Sequence, residues 1–220
     1  MFFIVITKLL PRYVRKVNIY LIAFIHFLLG IFWALFSKAP CRADQLMVTE
    51  IAKQFLNGDF STLNPGGYLC HHPMQLSIVY YAKWIYEFFG IQDNVIFFVL
   101  NSLYSMITLI FVYKIGILIF DKEKVENNLK FFIFGFFILD ILSIFIYGNL
   151  LGLACAVVSL YYLFKYYKFN KKINLLVSVI FMIFSMSIKS NFLVYYIGFA
   201  ISLIIYGLKN KCKLIILKCY

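Results

Sequence analysis

The sequence predicts an all-α protein, a transmembrane helical bundle of about six spans with one long outer loop. Three observations carry that prediction. Hydrophobic residues are 64% of the chain and charged residues only 14%, against roughly 45–50% and about 25% in an ordinary soluble domain. The 26 Phe and 17 Tyr would leave a soluble fold with large exposed apolar patches, whereas lipid accepts them. The 21 Lys and Arg fall as short patches between apolar runs and not on one basic face. Positive charge retained on the cytoplasmic side explains this pattern, so a net charge of +12 does not require a nucleic-acid partner.

A helix needs about 20 mostly apolar residues to cross the hydrocarbon core, with roughly 17–25 tolerated. Segments 17–36, 95–120, 131–147, 150–167, 173–188 and 192–208 qualify, the fifth at the short limit. The first follows Lys8, Arg12, Arg15 and Lys16. It reads as an uncleaved anchor, because its apolar stretch exceeds the roughly 7–15 residues of a signal peptide and Ser37-Lys38-Ala39-Pro40 is a poor cleavage site. With residues 1–16 cytoplasmic, the outside keeps only Lys38, Arg42, Lys53, Lys83 and Lys189 of the basic residues. The expected layout is a single multi-pass domain in a plasma membrane: first outer loop 37–94, remaining spans 95–208, and a cytoplasmic end at 209–220.

The second half of the outer loop, 75–89, places Leu76, Val79, Tyr80, Lys83, Tyr86 and Glu87 at helical spacing. An interfacial amphipathic helix is expected there, with Trp84 at headgroup level. The other outer connections are short, Tyr147-Gly148-Asn149 and Lys189-Ser190-Asn191. Residues both polar and placed to act lie mostly in Arg42-Ala43-Asp44-Gln45 and in 57–75. Asp44 should sit near the outer membrane surface, at the depth of a lipid headgroup; it also reads as the N-cap of a helix over 45–56. Lys189 reads equally as a side chain snorkelling from a span end, and Arg42 as the partner of a nearby acid.

Asp140 falls in the middle of the third span, where an ionised carboxylate is costly. It is expected either to bond a neighbouring helix, to be protonated, or to face a cavity. Adjacent His71 and His72 point apart and have no third ligand at suitable spacing, so no metal site is expected. Gly66-Gly67 after Pro65 predicts a tight turn, not a nucleotide-binding loop. The five Cys show no CxxC. A bond between Cys41 and Cys70 would need an oxidising compartment, and two free thiols are the expectation.

Ala43-Asp44-Gln45, Asn57-Gly58-Asp59-Phe60-Ser61, Gly66-Gly67-Tyr68-Leu69 and His72-Pro73-Met74-Gln75-Leu76 together resemble the polyprenyl-phosphate-sugar-dependent glycosyltransferases of the GT-C architecture. Within these, the likeness is to bacterial relatives of protein mannosyltransferases and lipid A aminoarabinose transferases. Weaker echoes follow at Tyr147-Gly148-Asn149 and Lys189-Ser190-Asn191. The resemblance implies a GT-C-like bundle with Asp44 as general base. It also implies substrate contacts from Arg42, Lys189, Tyr68, His72 and Gln75, a polyprenyl-phosphate-linked sugar donor, and no cofactor or metal. Such enzymes are longer and carry more spans, so the expectation is an N-terminal fragment whose missing half completes the donor groove. The competing expectation is a non-catalytic membrane protein such as an accessory subunit or transporter component, although no internal repeat of the transporter kind is evident.

Overall fold

A computed structural model describes residues 14, 16–38, 40–120 and 122–218, with side chains described outside 122–124 and 210–218. Lys8, Arg12 and Arg15 of the expected cytoplasmic N-terminus lie outside the described residues. Eight long helices dominate the described part: α1 Ile19–Ser37, α2 Asp44–Leu56, α3 Leu76–Phe89, α4 Val95–Ile119, α5 Lys122–Phe134, α6 Asn149–Phe169, α7 Lys172–Ile188 and α8 Leu193–Lys218. No strand occurs among the described residues. Five stretches are long and apolar enough to cross a membrane: Ile19–Ser37, Val95–Ile119, Val125–Ile144, Asn149–Phe169 and Ser190–Lys209. The chain thus has the make-up of a multi-pass membrane protein. Lys172–Ile188, at 17 residues, is the short one.

The helix ends follow local chemistry. Asn18 caps α1 by accepting from the Tyr20 amide at 3.0 Å, which satisfies one of the four orphan donors of a first turn. Asn170 closes α6 in the left-handed conformation, φ 52, which Asn tolerates better than most side chains. Between helices, small residues allow close approach. Gly30 of α1 faces Ser102 of α4, where an added Cβ would meet Oγ at 2.7 Å. On α6 and α7, Ser159 Oγ donates to the Ser178 carbonyl and Ser178 Oγ to the Ser159 carbonyl, both at 2.7 Å, and Ser185 Oγ donates to the Gly152 carbonyl at 2.7 Å. Hydroxyls that bridge helices in this way suit an apolar surround, where packing and hydrogen bonds replace the hydrophobic drive.

The third span is not the continuous helix 131–147 expected from hydropathy. It begins earlier and breaks: α5 ends at Phe134, Gly135 turns, Ile138–Ile141 makes one helical turn, Leu142–Ile144 is a 3₁₀ turn, and Phe145 is extended. Two causes coincide. Gly135 is a poor helix residue, and the side chains of Asp140 and Ser143 that follow find partners on α1 and α4 rather than along their own helix.

The first long loop folds onto one end of the bundle. α2 and α3 pack through Val48, Ile51, Ala52 and Phe55 against Ile78, Val79, Ala82, Ile85 and Tyr86, and this core continues into Ile146, Leu151 and Ile188 of the bundle. The best apolar face of α3 is therefore covered by protein. Its other edge leaves Trp84 and Phe88 stacked at 5.6 Å and largely exposed, the side suited to a membrane interface.

Candidate functional site

Asp44 is the first residue of α2 and does not cap it, which corrects the N-cap expectation. The cap position is Ala43, at φ 49 and ψ −129, with no side-chain bond to the first turn. That positive-φ backbone costs a non-glycine residue about 1–3 kcal/mol, strain of the kind that gathers where a side chain must be aimed. The carboxylate reaches sideways instead. Tyr68 donates its hydroxyl to Oδ1 at 2.9 Å and Tyr147 donates to Oδ2 at 2.8 Å. The second donor lies 103 residues away in sequence.

Each arm is set by its own loop geometry. Asn64-Pro65-Gly66-Gly67 turns back with Gly67 N donating to Asn64 O at 2.9 Å, and Gly66 sits at φ +86. That is the turn expected from Pro followed by Gly-Gly, with Pro at its second position and a positive-φ glycine at its third. A Cβ on Gly67 would meet the Thr62 carbonyl oxygen at 2.3 Å, so glycine is required for the approach that presents Tyr68. The His72 ring packs on Tyr68 at 4.7 Å. On the other side Gly148, at φ +73, reverses the chain after Tyr147 and lies against Ile188 and Ile78.

Around the carboxylate, Asp44, His72, Met74, Gln75, Tyr147, Lys189, Ser190 and Asn191 line a pocket of about 240 Å³. Gln75, buried, donates its amide to the Tyr147 hydroxyl. The Lys189 ammonium lies over the Tyr147 ring, 3.0 Å from its centroid. The phenol of Tyr147 and then that of Tyr68, with smaller help from His72 and Lys189, hold the Asp44 carboxyl below its ordinary value. The Tyr68 phenol is driven the other way, by burial first and then by the carboxylate beside it. Burial pushes the Lys189 ammonium down, and Asp44 offsets part of that. At neutral pH the pocket therefore presents an ionised acid and a partly desolvated cation in one lining, the first able to accept a proton and the second to bind an anion.

Five of the six residues expected at a site converge here: Asp44, Tyr68, His72, Gln75 and Lys189. Arg42 is exposed and lies outside the pocket lining. Tyr147 was legible only as part of a short connection, and its role as second donor to Asp44 follows from the break in the third span. Cys41 and Cys70 carry free thiols, and Cys41 accepts from the Asn94 amide at 3.3 Å.

Beyond the pocket, an apolar cavity of about 560 Å³ opens between α4, α6 and α7. It is lined by Tyr104, Leu151, Cys155, Phe181 and Phe184 among others, and it reaches Ser187, two residues before Lys189. No protein-family model, no curated protein and no solved structure matches this chain.

Proposed function

We propose that the chain is a membrane glycosyltransferase of GT-C type, or part of one, that takes its sugar from a polyprenyl-phosphate donor at the extracytoplasmic face of a bacterial plasma membrane. The observation that carries this reading is one acid and one cation lining the same pocket, with the lining of an apolar cavity ending two residues from that cation in sequence. In the proposed reaction an acceptor hydroxyl approaches Asp44 and gives it its proton. The hydroxyl oxygen bonds the anomeric carbon, and the bond from that carbon to the phosphate oxygen breaks with its electron pair. The products are an inverted glycoside and a polyprenyl phosphate, whose new charge Lys189 balances. Proton removal by a positioned base contributes about 10²–10⁴ in rate, or roughly 3–5 kcal/mol. The depressed Asp44 is a weak base, but it is ionised at any physiological pH. The cavity at Ser187 suits the first isoprene units of a donor whose phosphate sits at Lys189.

A separation of binding from turnover tests the assignment. With the full chain in nanodiscs and a short-chain polyprenyl-phosphate sugar, Lys189→Met should weaken binding at least tenfold, while Asp44→Asn should bind as the native chain does. Equal binding by native and Lys189→Met chains would remove the phosphate role. A second reading, a non-catalytic membrane component, draws on the buried Asp140; no lipid-phosphate binding by the native chain would favour it.

A further inference from the structure

We infer that His26 and Asp140 are positioning residues of the Asp44 pocket, a polar lock inside the bundle that fixes the broken third span and so sets Tyr147 on Asp44. This role rests on that pocket being the working site.

The two side chains are 1% and 5% exposed, and His26 Nδ1 lies 2.6 Å from Asp140 Oδ2. They join α1 to the single turn Ile138–Ile141 across 114 residues of sequence. Ser105 of α4 adds a hydroxyl 3.4 Å from Asp140 Oδ1. An irregular stretch among apolar helices exposes peptide groups that lipid cannot satisfy. Two of its carbonyls are met from the side, since the Asn101 amide donates to Ser143 O at 2.9 Å and Phe145 O at 3.0 Å, and the Ser143 hydroxyl ties the stretch to α1 by donating to the Gly30 carbonyl at 3.0 Å. Every one of these bonds acts between Asp140 and Phe145, and the chain then runs through buried Ile146 to Tyr147. Little slack separates the lock from the phenol that holds Asp44 Oδ2.

The chemistry of the pair favours register over stability. Two buried ionisable groups lose much of their attraction to desolvation, so an apolar pair of similar volume is often as stable. Apolar contacts, however, tolerate sliding, whereas an imidazole–carboxylate bond is met at one register. A one-residue slip of the broken stretch would leave a carboxylate unpaired among α1, α4 and the Phe137 ring, which lies 5.4 Å from His26.

The experiment uses the full chain in nanodiscs with 3-fluorotyrosine at position 147, read by fluorine NMR. The Asp44→Ala chain marks the resonance of a released phenol, and the same label at Tyr86, bonded to Asn94 at 2.6 Å, reports whether the α2–α3 cap is folded. His26→Leu/Asp140→Leu should move the 147 resonance to the released position and leave that at 86 in place. Asp140→Asn keeps the shape and accepts from an imidazole N–H, so it should hold the native position. An unmoved 147 resonance in the double-leucine chain would overturn the proposal, as would loss of the 86 resonance, since the pair would then serve the whole fold. A displacement by Asp140→Asn as large as by the double change would replace the geometric lock with a charge effect. Because the readout is geometry, a moved resonance with no lipid-phosphate binding would keep the lock and sink the transferase reading.

Discussion

Replacing Gly67 with Ala tests how the pocket is assembled, because the residue touches Asp44 only through Tyr68. Its φ of −76 and ψ of 159 suit any residue, so the cost comes from contact alone. An added Cβ would lie 2.3 Å from the Thr62 oxygen and 2.6 Å from its carbon. Ordinary contact begins near 3.4 Å, so the turn must open by about 1 Å, at a typical overpacking cost of about 1–3 kcal/mol. Moving Tyr68 by that amount takes its hydroxyl, now 2.9 Å from Asp44 Oδ1, past hydrogen-bonding range. The Asp44 carboxyl then loses one of its two phenol donors, and its pKa rises toward the ordinary value. Carbon-13 NMR of labelled aspartate measures this in Gly67→Ala, Tyr68→Phe and the double variant. If Gly67 acts through Tyr68, the double variant titrates as Tyr68→Phe alone, because changes that share one bond are not additive. Additive shifts, or a Gly67→Ala chain that titrates like the native one, would break this link between the turn and the carboxylate.

Tyr147→Phe removes the principal donor, so Asp44 should rise further there than in Tyr68→Phe. The sign of the linkage follows: a depressed carboxyl stabilises the fold above its unfolded pKa and loses that contribution as pH falls through the folded value. The phenylalanine variants should therefore show a smaller stability loss below about pH 4 in acid unfolding. Asp44→Asn withdraws the charge that offsets burial of Lys189, so the ammonium should titrate still lower, measured by NMR of the methylated lysine. On α6, Gly152→Ala would place a Cβ 2.4 Å from the Phe192 ring. It should cost about 1–3 kcal/mol in unfolding and disturb Lys189, which lies one helical turn before Phe192 in sequence.

The helices and the Asp44 loop were legible because their signals are local. Apolar length marks the spans, and Pro65-Gly66-Gly67 marks a turn whatever surrounds it. Charge alternation brought Asp44, His72, Gln75 and Lys189 to one side of the chain's layout, but it assigns sides without knowing distances. The break after Phe134 was hidden because Phe136, Phe137, Ile138 and Leu139 keep hydropathy high through a stretch that is not a continuous helix. His26 went unread for a related reason: a single imidazole among Phe24, Ile25 and Phe27 barely lowers a span's hydropathy, and its partner is 114 residues away. A usable signal did exist, since His26 and Asp140 are both ionisable residues well inside apolar segments, where each calls for a partner.

Transfer itself decides whether Asp44 is a base and whether the pocket is an active site. The full chain in nanodiscs is supplied with a radiolabelled polyprenyl-phosphate sugar and membrane-extracted acceptors, and release of polyprenyl phosphate is followed for native and Asp44→Asn chains. The expected result is release by the native chain and a loss of about 10²–10⁴ in rate for Asp44→Asn, with donor binding unchanged. Equal rates in the two chains would contradict Asp44 as the base, and no release or binding by the native chain would contradict the proposed activity.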